Sequence, residues 1–416
     1  MKRTISLIVI VAVVLVLCGF KTSKSDKITG QTDLWDFDQL KKPPAYQWLN
    51  DDNATIRQII YEGEACGAIA KTQVFAYYAT PATISGDKSK DHNLPAIVLV
   101  HGGGGYAIKE WVIQWANRGY AAISMDLGGN GLDVKPLPNG GPSQDPVLKF
   151  TSIDSTTDKQ WVYHAVCNVI LAHSLLCSFN EVDPDKTAIT GISWGGFLAC
   201  IAAGLDNRFK VAVPVYGCGF IYMPGGYFYE KDFGTMTPEQ KKRWADKYDA
   251  SHYIGTAKTP FLWVTGTRDM FYPPNALACT YNLVREQSNF RITTTMTHGH
   301  GQGCEPEEIG VFIDHYLTGA PALPTVRSVK STPDQVTALV TGKTKLNGAS
   351  ISYTTDTMLP FSSRKWQTVP ATVRENKITA PPLPANTTIW LINAIDDRGL
   401  TISSSYFFSN GIKNEE

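Results

Sequence analysis

Four short stretches hold side chains whose types could work together. "GISWGG" sets Ser193 between Gly191 and Gly195, and "GTRD" ends on Asp269. "THGHGQG" puts His298 and His300 one residue apart in a glycine loop, and "HGGGG" runs from His101 to Gly105. A hydroxyl, a carboxylate and an imidazole are what is needed to turn an alcohol oxygen into a nucleophile at neutral pH. Backbone N–H groups in a glycine loop can then hold the negative oxygen that forms when that alcohol attacks a carbonyl.

Each assignment depends on what precedes and follows the stretch. Gly-x-Ser-x-Gly is common by chance. Here "TAIT" supplies a buried strand before it and "FLACIAAG" a small-residue helix after it, the context of a strained strand-to-helix turn with Ser193 at its tip. The N–H of Trp194, first in that helix, and that of Gly103 or Gly104 are the expected oxyanion donors. Losing one such donor typically costs roughly 3–4 kcal/mol of transition-state stabilisation. His101 reads as structural. Asp269 ends a buried run and is the expected acid. Asp126 ("SMDLGG") also follows a strand, but it precedes the serine, and the chain order nucleophile–acid–histidine requires the acid after it. For the base both His298 and His300 qualify by position. His300 is favoured because Gly299 and Gly301 flank it and the loop carries it away from the strand, leaving His298 to line or brace the site.

The same residues admit other readings. His298, His300 and Cys304 could ligate a metal, but no second ligand cluster with metal spacing accompanies them, so neither metal nor cofactor is expected. Cys218 in "VYGCGF" could be a thiol nucleophile, yet nothing places a base beside it. The aromatics of 216–229 read equally as packing or as a stacking surface for a sugar or aryl ring.

The positioning elements follow from periodicity. "IRQIIYEG" and "TQVFAYYATP" read as two strands. "LPAIVLV", "YAAISM", "TAITGI", "FKVAVPV", "TPFLWVTG" and "FRITTTM" are short apolar runs of the kind buried on both faces. Helical periods separate them, at "WVIQWANRG", at 159–176 and at "EPEEIGVFIDHYL", the last opened by Pro306. This alternation predicts an α/β fold with a doubly wound, mostly parallel sheet over 56–320, and an insertion at about 220–253 overhanging the carboxyl ends of the strands. After "TGAPALP" only short β-like runs remain, predicting a small all-β sandwich of immunoglobulin or fibronectin type over 325–410.

Lys2 and Arg3 before the apolar run Leu7–Leu17 have the pattern of an export signal within 1–20, and the run is short of the roughly 20 residues that span a bilayer. "LVLC" at Cys18 is similar to a bacterial lipoprotein box, although Leu17 stands where a small residue is usual. The expectation is an exported protein, periplasmic, held at the outer membrane as a lipoprotein, or secreted, with a leader at 21–55 and membrane attachment through the N-terminus alone. The 416-residue chain has a formal net charge of zero, which gives no reason to expect nucleic acid as a partner. The spacing of the cysteines beyond Cys18 shows no repeated pair motif, and no disulfide is assigned.

Taken together, "LVHGGGG", "GISWGG", "GTRD" and "HGHGQG" resemble the α/β-hydrolase superfamily over 56–320. "VDPDKTAITGISWGGFLACIAAGLDNRFKVAVPVYGCG" is similar to acetylxylan-esterase-like and dienelactone-hydrolase-like bacterial proteins and to the prolyl oligopeptidase catalytic domain. The resemblance implies a serine hydrolase with Ser193 as nucleophile, Asp269 as acid and His300 (or His298) as base, acting on acylated carbohydrates or small esters. The chain departs from the oligopeptidases in having no room for a β-propeller ahead of the first strand, and it shows no acidic motif for a peptide amino terminus. A non-catalytic glycan-binding surface protein is the alternative from another class.

Overall fold

A computed structural model describes residues 32–409. The export signal, Cys18 and the start of the leader lie outside the described residues.

The sheet that carries the site begins earlier than Ile56. β1 (Tyr46–Trp48) pairs antiparallel with β2 (Arg57–Glu62), which pairs antiparallel with β3 (Gln73–Ala79). Upstream, Trp35 is buried and its indole N–H donates to Tyr163 O at 3.2 Å. The leader from Thr32 onward is thus packed into the fold. β3 lies antiparallel to β5 (Ala121–Met125), and from there every neighbour is parallel: β5, β4 (Leu94–Val100), β6 (Val182–Ile192), β7 (Val211–Val215), β8 (Phe261–Arg268) and β9 (Ser288–Thr297). β5 and β7 are buried along their whole length, which is why these runs read as continuously apolar. The helix Trp161–Leu176 is buried around nearly its entire circumference. The helix Trp194–Leu205 presents Gly195, Gly196, Ala199 and Ala202 to close-packed neighbours.

Between β7 and β8 an excursion covers the carboxyl ends of the strands. It holds a wide helical turn, Phe228–Asp232, and the helix Pro238–Tyr248, opened by a reciprocal cap between Thr237 and Gln240. The Asp249 carboxylate ties its two ends together, accepting from Phe220 N at 2.7 Å and Ser251 N at 2.9 Å. Gln240 and Arg243 also reach across to Asp154.

β10 (Thr325–Ser331), β11 (Val336–Thr341), β12 (Leu346–Thr354), β13 (Gln367–Arg374), β14 (Lys377–Ala380), β15 (Ile389–Asp396), β16 (Thr401–Ser403) and β17 (Phe407–Phe408) form an all-antiparallel module. β13 is shared: its first half pairs with β12 and its second with β14. The module is fastened to the hydrolase sheet. Ser403 of β16 registers with Phe290 of β9, and its Oγ accepts from Ile292 N at 2.8 Å. The Glu308 carboxylate accepts from Thr401 N at 2.7 Å. Phe361 lies against Gly225 of the excursion, its ring 2.5 Å from where a Cβ on that glycine would stand.

Candidate active site

Ser193 sits at the turn from β6 into the helix Trp194–Leu205 with φ 60° and ψ −119°. An L-residue with positive φ outside a glycine is strained, by about 1–3 kcal/mol, and here close packing enforces the strain. A Cβ on Gly191 would stand 2.2 Å from Gly195 O, and one on Gly195 would stand 1.9 Å from Val100 O. Both positions therefore require glycine, and the Ser193 N–H donates to Val215 O at 2.9 Å, locking the turn onto β7.

The imidazole that meets Ser193 is that of His298. Its Nε2 lies 2.8 Å from Ser193 Oγ, and its Nδ1 lies 3.0 Å from Asp269 Oδ1. The carboxylate can only accept, so Nδ1 carries the proton and Nε2 is free to receive one from the serine. Asp269 follows β8 directly. Its Oδ1 also accepts from Phe271 N at 2.7 Å and Tyr272 N at 3.1 Å, which fixes the carboxylate before the histidine arrives. The imidazole is wedged between Tyr216 and Phe271, each with its ring centre 4.6 Å away.

The preference for His300 is corrected. β9 continues to Thr297, so His298 is the first residue beyond the strand and turns back over the sheet. Gly299 is followed by a turn of helix, His300–Cys304, that heads outward. The His300 ring stands edge-on to Trp111 at 5.4 Å, with its Nε2 3.6 Å from Cys304 Sγ. The same geometry separates the three residues of the metal reading, since both nitrogens of His298 are engaged elsewhere. Among the described residues no group of three or more His, Cys, Asp or Glu side chains is placed to hold a metal ion.

Asp126 is buried and does not reach His298. Its Oδ1 accepts from Gly128 N at 2.8 Å and Asn130 N at 2.7 Å, closing the loop after β5. Cys218 is fully buried and burial pushes its thiol well up, which keeps it protonated and unreactive.

Of the proposed oxyanion donors, Gly104 is corrected. Its N–H is taken, donating to Gln144 Oε1 at 3.0 Å, while the Gln144 amide donates to Gly105 O. Gly103 and Trp194 remain as the donors that could face a substrate. Gly103 is glycine for a steric reason: a Cβ there would stand 2.6 Å from Cδ1 of Trp194. His101 braces the loop. Buried, with its pKa pushed down to about 4 by desolvation, it stays neutral; Nδ1–H donates to Gly102 O at 2.7 Å and Nε2 accepts from Leu127 N at 3.0 Å. The excursion's aromatics divide. Phe228, Phe233 and Trp244 are buried in one cluster with Phe150, whereas Tyr227 and Tyr229 are exposed.

One participant lies outside the sequence reading, and a second entered it only among the aromatics of 216–229. Gln144 clamps the oxyanion loop from a polar segment without periodicity, where nothing marks it. Tyr216, with φ 64°, donates its hydroxyl to Thr297 O at 2.9 Å and so holds the strand end from which His298 springs. Its place at the end of β7, in "VYGCGF", was the available signal.

The acetyl xylan esterase (AXE1) family model matches residues 53–221 and the prolyl oligopeptidase family model matches residues 153–314. Among solved structures, the acetyl xylan esterase from Paenibacillus sp. R4 is 26% identical, with a TM-score of 0.54 over 67% of this chain and 92% of its own. Acetyl xylan esterase 1 from Thermoanaerobacterium sp. JW/SL YS485 is 16% identical, with a TM-score of 0.51 over 68% of this chain and 93% of its own, a likeness of fold. With the parallel sheet, the strained serine and the histidine that meets it, these matches show an α/β-hydrolase-like fold.

Proposed function

We propose that the protein is a carbohydrate acetyl esterase of acetylxylan type, with Ser193 as nucleophile, His298 as base and Asp269 as the orienting acid. Ser193 Oγ adds to the acyl carbon as its proton passes to His298 Nε2, and the carbonyl electron pair moves onto the oxygen held by the N–H groups of Gly103 and Trp194. Collapse restores the carbonyl and expels the sugar oxygen, which takes the proton from His298. Water, activated by the same imidazole, then releases acetate and frees the serine. The continuous Ser193–His298–Asp269 relay carries the reading. The match to the acetyl xylan esterase family, and a likeness to one such enzyme that spans nearly all of it, favour a sugar acetate as the ester.

The export-type N-terminus supports a site of action outside the cytoplasm, and the antiparallel C-terminal module fits an immunoglobulin- or fibronectin-like appendage of such enzymes. A peptidase acting through the same residues is the second reading, favoured by the match to the prolyl oligopeptidase family. Acetate release from acetylated xylan and xylose tetraacetate, assayed on wild type and Ser193→Ala beside aminoacyl anilides, separates the two. Cleavage of anilides but not of acetates overturns the esterase. No reaction of the wild type with a fluorophosphonate probe overturns both in favour of a non-catalytic protein.

A further inference from the structure

We propose that the Lys149 ammonium is part of the oxyanion site, a fixed positive charge that acts on the carbonyl oxygen as it becomes negative. Lys149 belongs to the short helical turn Leu148–Thr151, and its carbonyl accepts from the Trp244 indole N–H at 2.8 Å, which pins its backbone beneath the excursion. Only 4% of the residue is exposed. Nζ lies 4.9 Å from the ring centre of Trp161 and 5.2 Å from that of Trp194, the residue whose backbone N–H is one of the two proposed oxyanion donors. It also stands 3.0 Å from where a Cβ on Gly103, the other donor, would be. The two indoles and the bare glycine together make a seat that brings the charge up to the oxyanion loop.

Buried charges are as a rule paired. Among the described residues Lys149 Nζ makes no hydrogen bond and no ion pair with a carboxylate, and its tip is not sealed from solvent, so a substrate oxygen can reach it. The charged and titratable groups facing it are few. Asp232 of the excursion is half-buried, and burial pushes its carboxyl up to about 6 against the pull of Lys149. Asp145 spends its Oδ1 on the N–H groups of Val147 and Leu148. His101 is neutral. A cation without a resting partner keeps its attraction for a charge that exists only during the reaction, which is the differential binding that lowers a barrier. No proton moves from Lys149: the pair released from the C=O bond rests on oxygen, the serine proton goes to His298, and the ammonium contributes field alone.

The inference rests on the esterase reading, and its test keeps the two apart. Burial pushes Lys149 down to about 8, so below that pH the charge is present and above it the charge is lost. Wild-type kcat on neutral xylose tetraacetate should therefore fall as pH rises through about 8, in a range where Asp232 and His101 no longer titrate. Lys149→Met should lose about 100-fold in kcat with KM little changed, and should lack the alkaline fall. Lys149→Arg should retain most of the rate and move the fall out of range. Circular dichroism and thermal melting monitor folding, and the wild-type pH profile stands as a test if the Met variant does not fold. Wild-type rates in Lys149→Met, or a loss confined to esters of uronic acids, would show that the ammonium does not serve the oxyanion. A lowered kcat with the alkaline limb intact would reduce it to packing. If the wild type releases acetate from no ester, the parent reading fails too.

Discussion

His298 Nε2 lies 2.8 Å from Ser193 Oγ, across 105 residues of chain, while the other imidazole of the same loop turns away to Trp111. Replacing each histidine by alanine therefore separates a reacting group from a neighbour. His298→Ala should lower kcat on xylose tetraacetate by at least about 10,000-fold, and His300→Ala should stay within about 10-fold of wild type. Equal losses in the two would contradict this geometry.

Asp269 is held by two backbone N–H groups as well as by His298, so Asp269→Asn should fold normally. The amide cannot hold the imidazole in the required tautomer, and kcat should fall about 10,000-fold. Asp126→Asn perturbs only a loop closure and should leave most of the activity. Steady-state rates beside melting curves of the two variants test the contrast.

Gln144 grips both Gly104 N–H and Gly105 O from a surface loop. Its removal should loosen the oxyanion loop without touching nucleophile or base. Gln144→Ala should show a kcat about 10- to 100-fold lower, with labelling by a fluorophosphonate slowed in parallel and the melting temperature nearly unchanged. An unaltered kcat would mean that the loop is rigid without the clamp.

Gly191 and Gly195 leave no room for a methyl group at the Ser193 turn. Gly195→Ala should push β4 away from the helix, costing several kcal/mol through overpacking and relaxed strain at the serine. Chemical denaturation and activity should fall together. A stable but inactive variant would show that the turn can adapt.

Much of the fold, and the positions of Ser193 and Asp269, were legible because parallel strands buried on both faces read as plain apolar runs and the two residues stand at strand ends. Ser193 and Asp269 directly follow runs whose ends are visible. His298 was misplaced because "RITTTM" does not show that β9 extends through Thr297, and one added strand residue decides which ring faces inward. The opening strand, β1, was missed because Tyr46–Trp48 is short and lies at a half-exposed edge, without alternation long enough to register. Gln144 and Lys149 were illegible for another reason. Each acts through a tertiary approach of a segment that has no periodicity of its own.

The outermost strand of the hydrolase sheet is closed off by a single side chain as much as by a neighbouring strand. Ser403 Oγ accepts from Ile292 N and lies 3.2 Å from Ile292 O, with Asn393 Oδ1 of β15 at 2.7 Å as the nearer acceptor for its proton, so one hydroxyl covers a margin where little ladder forms. Polymerisation through bare sheet margins is a standing hazard of open α/β architecture, and here the margin is capped from within the same polypeptide. Shortened forms ending near Gly319 would expose that margin, and the two halves of the molecule are better regarded as one folding unit than as an enzyme carrying a detachable passenger.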